Sequence, residues 1–217
     1  MLHLDFSRRK STTFNLLCLG AHSDDIEIGC GGFILRLINE TPNLSIRWIV
    51  FSGSGERAVE ARESAAAFLK NIKASQVEVL NFRDGYFPFQ GAEIKDVFEA
   101  LKRDFDPSVV LTHRMEDAHQ DHRILSELAY NTFRNHMILE YEIPKYDGDL
   151  GNPNFFAPLT KALLGRKIDL ILAHFRTQHG RAWFTKETFE GLARLRGIGC
   201  NAPEGFAEAF HARKIVV

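Results

Sequence analysis

The feature that most constrains this chain is a repeating alternation of short apolar runs with longer amphipathic stretches. Residues 14–20 read as a buried strand, and 44–51 as a β-rich run carrying Ile46, Trp48, Ile49 and Val50. Residues 77–80 and 109–112 read as further strands, the latter preceded by the breaker Pro107. Between them, 29–39, 58–71, 92–104 and 120–135 read as helices, the first with Ile34, Leu35, Leu37 and Ile38 on its apolar side. Farther along, 137–143 reads as a strand, 158–164 and 185–196 as helices, and 209–217 as a last strand. Strands alternating with helices predict an α/β domain with a mostly parallel sheet. Residues 144–158, rich in Gly, Pro, Asn and Asp, read as a long surface loop, and long loops in compact domains are often functional. Neither a repeat nor a linker interrupts the pattern, so residues 1–217 are expected to form a single domain.

Composition excludes several classes of function. The formal net charge is −1, so there is no basic excess to neutralise nucleic-acid phosphates. No segment reaches the length of an apolar membrane span, and Met1 to Phe6 lacks a signal-peptide apolar core. Cys18, Cys30 and Cys200 fit neither a disulfide framework nor a metal knuckle, and read as reduced thiols in the cytoplasm. The 18 phenylalanines supply core and permit, without requiring, a homo-oligomeric interface.

Two clusters carry the chemistry. Ala21-His22-Ser23-Asp24-Asp25 follows the first strand, and His119-Gln120-Asp121-His122 follows a later one. In a parallel α/β sheet, ligands bind outside the carboxyl ends of the strands, so both clusters are expected on one edge. Catalytic zinc takes three protein ligands and keeps one position for water. His22, Asp25 and His122 can supply them, leaving Asp24 as candidate general base. His119 can polarise an oxyanion or protonate a leaving amine, and Asp121 can orient His119 or a ligand imidazole. His113 reads equally as support for the site or as an ordinary strand-end histidine. The bland alternative for His22-Ser23-Asp24-Asp25 is a helix cap.

Gly29-Cys30-Gly31-Gly32 invites a nucleotide-binding reading, but it lacks the G-x-G-x-x-G register. Asp24, Asp25 and Glu27 at the same turn would repel a pyrophosphate. Close helix packing is the better reading for these glycines.

The two motifs resemble those of the LmbE-like, or PIG-L, family of zinc-dependent de-N-acetylases. Its first signature, (P/A)-H-P-D-D, stands here as Ala21 to Asp25, and its H-x-D-H as His119 to His122. Arg57-Ala58-Val59-Glu60 matches the family's R-x-x-E, and Asp84-Gly85 a frequent turn. The resemblance implies a Rossmann-like three-layer fold and hydrolysis of an N-acetyl group. It implies His22, Asp25 and His122 as metal ligands, Asp24 as base, His119 as the assisting histidine and Asp121 as the adjacent carboxylate. It further implies an arginine that positions the acyl group, for which Arg57 and Arg62 both stand open. Ser23 departs from the usual proline and removes some preorganisation of the turn. The segment 140–150 and the stretch His174-Phe175-Arg176-Thr177-Gln178 also resemble family elements, the former with groups that can meet a sugar and the latter with His174 as a substrate contact.

The expected activity is therefore removal of acetate from an N-acetylated sugar or sugar conjugate, with Zn2+ or Fe2+ as cofactor, since His and Asp ligands accept both. The rivals are a noncatalytic sugar-binding module, an amidase for another small amide, and a nucleotide-dependent enzyme.

Overall fold

The computed structural model describes Leu4, Phe6 and residues 13–216. Most of the amino-terminal segment read above, and Val217 of the tail, lie outside the described residues. The first apolar run becomes β1 (Phe14–Gly20), an interior strand in which Leu16, Leu17, Cys18 and Leu19 are fully buried. It is flanked by β2 (Leu44–Val50) and β4 (Val109–His113), both parallel to it. β3 (Ala74–Val79) and β5 (Met137–Tyr141) extend the parallel sheet on either side. β6 (Phe155–Leu159) and β7 (Phe206–Ala212) complete it, β7 running antiparallel to both β5 and β6. The order of the seven strands is β3-β2-β1-β4-β5-β7-β6.

Strand side chains alternate between two faces. Leu16 and Cys18 of β1 enter one core with Ile34 of α1 (Asp25–Glu40), Phe68 of α2 (Gly55–Phe68), Ile168 of α5 (Lys161–His174) and Phe189 of α6 (Lys186–Gly199). Leu17 and Leu19 enter the other with Phe98 of α3 (Gly91–Asp104) and Leu125 of α4 (Gln120–Thr132). The fold is thus three layers, helix–sheet–helix, as the alternation predicts. Among the described residues no helix is long and apolar enough to cross a membrane.

Three sequence expectations need correction. Residues 158–164 are not one helix: Pro158 and Leu159 belong to β6, and α5 starts only after Thr160, whose side chain accepts the Leu163 N–H. Proline is tolerated there because β6 is the sheet's edge strand. The same strand takes over the end of the expected 144–158 loop. The first helix also begins earlier than residue 29, at Asp25, so the motif itself opens α1.

The glycines of α1 serve close packing. A Cβ on Gly29 would lie 2.2 Å from the Tyr141 ring, and one on Gly32 2.5 Å from Leu159.

Candidate metal and catalytic site

β1 and β4 are neighbours, yet their following helices pack on opposite faces of the sheet. This is a topological switch point, where the chain opens a crevice at the strands' carboxyl ends. The β1–α1 turn brings His22, Asp24 and Asp25 to it. β4 ends on His113, and the next turn delivers His119, Asp121 and His122 at the start of α4.

Three donor atoms converge there. His22 Nδ1 lies 3.3 Å from Asp25 Oδ2 and 3.2 Å from His122 Nε2, and the latter two are 3.6 Å apart. With zinc bonds of 2.0–2.2 Å, the ligand atoms of a tetrahedral site stand about 3.3–3.6 Å from one another. The triangle therefore has the size of one tetrahedral face. The outer nitrogen of each imidazole meets a carboxylate: His122 Nδ1 is 3.0 Å from Asp117 Oδ2, and His22 Nε2 is 3.3 Å from Asp121 Oδ2 and 3.1 Å from Asp84 Oδ1. Such partners fix the ring and its tautomer and would direct the inner nitrogen at a bound ion. Burial and the nearby His113 push the His122 pKa down to about 4, so its ring is neutral and available as a ligand. Burial opposes charge on His22 too, yet Asp25, Asp121 and Asp84 raise its pKa well above the ordinary value. The pocket stabilises positive charge at the place where the donor atoms meet.

Asp24 stands apart from the triangle. It occupies the cap position of α1, but its side chain makes no capping bond. It instead accepts a 2.9 Å hydrogen bond from Arg57 Nη2. Arg57 also bonds Glu60 and Thr177 through Nη1, each at 3.1 Å, and lies over the Phe175 ring. Burial raises the Asp24 pKa; Arg57 acts against this and Asp25 with it, and the net direction is upward. Arg62 is exposed and, among the described residues, bonds only the Ala58 carbonyl of its own helix, so the arginine that reaches Asp24 is Arg57. Ser23 costs the turn a proline, but the Asp25 carboxylate ties it by accepting the His22 N–H at 2.6 Å.

His119 caps α4. Its Nδ1 accepts the Asp121 N–H at 3.2 Å, which leaves the ring proton on Nε2. Burial and His22 lower its pKa, keeping the ring neutral. Asp121 does not hold His119. Its carboxylate accepts the Gly85 and Phe87 N–H groups at 2.7 and 3.1 Å and turns to His22.

The PIG-L family model, described as GlcNAc-PI de-N-acetylase, matches residues 17–133, which span β1 to the start of the turn after α4. The chain belongs to this family. It is 29% identical over 136 residues to the uncharacterized deacetylase YaiS of Escherichia coli K12, covering 59% of this chain and 74% of that one. Among solved structures it is similar to the conserved protein TT1542 of Thermus thermophilus, with TM-score 0.73 and 24% identity over 94% of this chain and 97% of that one. The N,N'-diacetylchitobiose deacetylase of Pyrococcus horikoshii follows at TM-score 0.71 and 20% identity, covering 96% and 87%. The 4-carboxy-2-hydroxymuconate hydratase GalB of Pseudomonas putida has TM-score 0.69 and 16% identity, covering 94% and 98%. At these identities the structural likenesses establish the shared fold alone; a hydratase among them shows that the fold does not choose the reaction.

For this PIG-L member, Asp117 escaped the sequence reading. Asp117 is buried between His122 and Lys145, whose Nζ is 3.1 Å from Asp117 Oδ1. Burial opposes its charge, but the hydrogen bond to His122 and the neighbouring Lys145 ammonium hold its carboxyl well below the usual range. The available signal was a carboxylate two residues before the H-x-D-H motif. His113 is fully buried, with Nε2 accepting the Ala21 N–H at 2.9 Å and its ring stacked on His122 at 3.8 Å. Within segment 140–150, Glu140 pairs with Arg213 and Glu142 with Arg196, both glutamates buried, and Tyr141 donates to the Leu19 carbonyl. These three residues brace the interior strand β5 and the turn that follows it, while Tyr146 of the same segment is exposed. In the stretch from His174 to Gln178, Thr177 and Phe175 reach Arg57.

Substituting Asp117 by Asn should weaken metal binding about 10–100-fold, the usual cost of losing a partner to a ligating histidine. Competition against a chromophoric chelator would measure it; unchanged affinity would remove Asp117 from the ion's support.

Proposed function

We propose that this chain is a divalent-metal-dependent deacetylase that hydrolyses the N-acetyl amide of an amino sugar or sugar conjugate. The observation that carries the reading is the donor triangle of His22, Asp25 and His122 with a separate buried carboxylate, Asp24, beside it. Two imidazoles and one carboxylate suit zinc or ferrous ion. When bound, such an ion lowers the pKa of water and polarises the acyl carbonyl. Asp24 then takes the water's proton on its carboxylate, whose basicity burial has raised. His119 presents its Nε2–H to the oxyanion of the tetrahedral intermediate, as a neutral donor. Asp24, now protonated, returns that proton to the departing amine nitrogen, and acetate and the free amine result. Arg57 holds Asp24 in place through this cycle and keeps its carboxylate oriented.

A sugar-binding module has no use for a buried base beside a metal triangle. A nucleotide-dependent enzyme is disfavoured by Asp24, Asp25 and Glu27 at the turn where a pyrophosphate would lie. The cysteines are free and buried, in keeping with a reducing cytoplasm.

The test is acetate release from N-acetylglucosamine and its glycosides, before and after chelation and reloading with zinc or ferrous ion. Release that disappears on chelation and returns on reloading is expected. A fully loaded protein that releases acetate from none of them would overturn the reading.

A further inference from the structure

Residues 83–90 form a tight loop at the rim of the site. It is closed by the Arg83 N–H to Gln90 Oε1 at 2.9 Å and by the Phe89 N–H to the Tyr86 carbonyl at 2.9 Å. Gln120 Nε2 pins it to α4 through the Gly85 carbonyl at 2.6 Å. Its inner side belongs to the site: Asp84 meets His22, the Gly85 and Phe87 amides meet Asp121, and the buried Phe87 ring lies 6.1 Å from that of His22.

Its outer side is used by nothing described so far. Phe89 is 81% exposed and Tyr86 41%. Their ring centroids are 6.0 Å apart, and the Arg83 guanidinium lies 3.5 Å from the Tyr86 ring centroid. A single exposed apolar residue is ordinary. Two aromatic rings, tilted 53° to one another, and a guanidinium stand together on one braced loop beside a polar crevice and make a small exposed shelf. Chain length keeps the Tyr86 Cα within about 7 Å of the Asp84 Cα, so the shelf stands close to the rim.

A pyranose presents C–H bonds on its flat faces and hydroxyls around its edge. Aromatic rings accept the former and a planar guanidinium donates to the latter. Two rings with one guanidinium fit a hydroxyl-rich partner that has apolar faces. We propose that Tyr86, Phe89 and Arg83 form a subsite for a second sugar ring. The chain would then select a disaccharide or longer glycan over a lone N-acetylated monosaccharide. This rests on the deacetylase reading for where the first ring sits.

The test is binding of N-acetylglucosamine and of its β-1,4-linked disaccharide to zinc-loaded protein, in an Asp24→Asn background so that turnover is suppressed. Affinity and saturation-transfer NMR are read there, with Phe89→Ala and Tyr86→Ala added singly and together. The disaccharide is expected to bind at least about tenfold more tightly, a loss of roughly 1.4 kcal/mol when the shelf is removed. Saturation transfer is expected to the C–H protons of its second ring. The double variant should lose most of that advantage. Equal affinity for both sugars, an advantage that survives the double variant, or binding of neither sugar would overturn the subsite. Acetate release by the unsubstituted protein is read separately. A shelf-dependent advantage without release keeps the subsite and removes the deacetylase reading; release without such an advantage does the reverse.

Discussion

Replacing Asp24 by asparagine should cut acetate release about a thousandfold while leaving close to one metal ion per chain. The side chain is nearly isosteric, and its oxygen can still accept the Arg57 hydrogen bond that holds Asp24 at 2.9 Å. The donor triangle does not include it, so the ion keeps His22, Asp25 and His122. What is lost is the basic oxygen that receives the water's proton and returns it to the amine. A positioned general base is worth roughly 10²–10⁴ in rate, and this one acts twice in the cycle. Turnover measured with metal content in the same sample checks the assignment. His122→Ala makes the contrast, because it should lose the ion and the activity together. Near-normal turnover in Asp24→Asn would remove the base, and loss of the ion in that variant would make Asp24 a ligand.

The sequence carried the frame of this site further than its details. β1 was legible because a strand buried on both faces is a continuous apolar run, and its end fixed the motif at a carboxyl edge. The joining of the two histidine clusters followed from the same edge rule. The division of labour around them did not. Asp121 faces His22 because the amides of Gly85 and Phe87 fold over it, a contact between segments whose separation in the chain hides it. Arg57 and Arg62 lie on one helix, and choosing between them needs the helix's rotation relative to Asp24. Once α2 is docked, Arg57 shares its side with Glu60 and Thr177 while Arg62 faces solvent. β6 stays hidden because Pro158 reads as the first residue of a helix over 158–164 and the residues before it as loop, and only the finished strand order reveals an edge that tolerates a proline. The loop around Lys145 looked like a sugar-binding surface, yet its lysine turns inward to Asp117.

Least legible of all was a pair of charges that grips α1 in its middle, and it carries the second large prediction. Lys167→Met should lower the melting temperature by about 6–20 °C. Lys167 and Glu208 are 5% and 6% exposed, with Nζ 2.7 Å from Oε1. The lysine also donates to the Ile28 carbonyl at 2.6 Å, and Glu208 accepts the Gly32 and Phe33 N–H groups at 2.8 and 2.6 Å. Methionine fills the aliphatic space but leaves a buried carboxylate without its counter-charge. Breaking a buried pair on one side costs about 3–5 kcal/mol, and each kcal/mol moves a domain of this size by about 2–4 °C. Adding Glu208→Gln removes the stranded charge while keeping an acceptor for one α1 amide, so the double variant should recover more than half of the loss. Thermal denaturation of the two variants separates this from simple mispacking, which the second substitution would not repair. The pair holds the helix whose first residue is Asp25, so Lys167→Met should also weaken metal binding, with the double variant restoring both together. A melting temperature within about 2 °C of the unsubstituted protein, less than the shift for 1 kcal/mol, would show that α1 is held by its apolar packing and not by this pair.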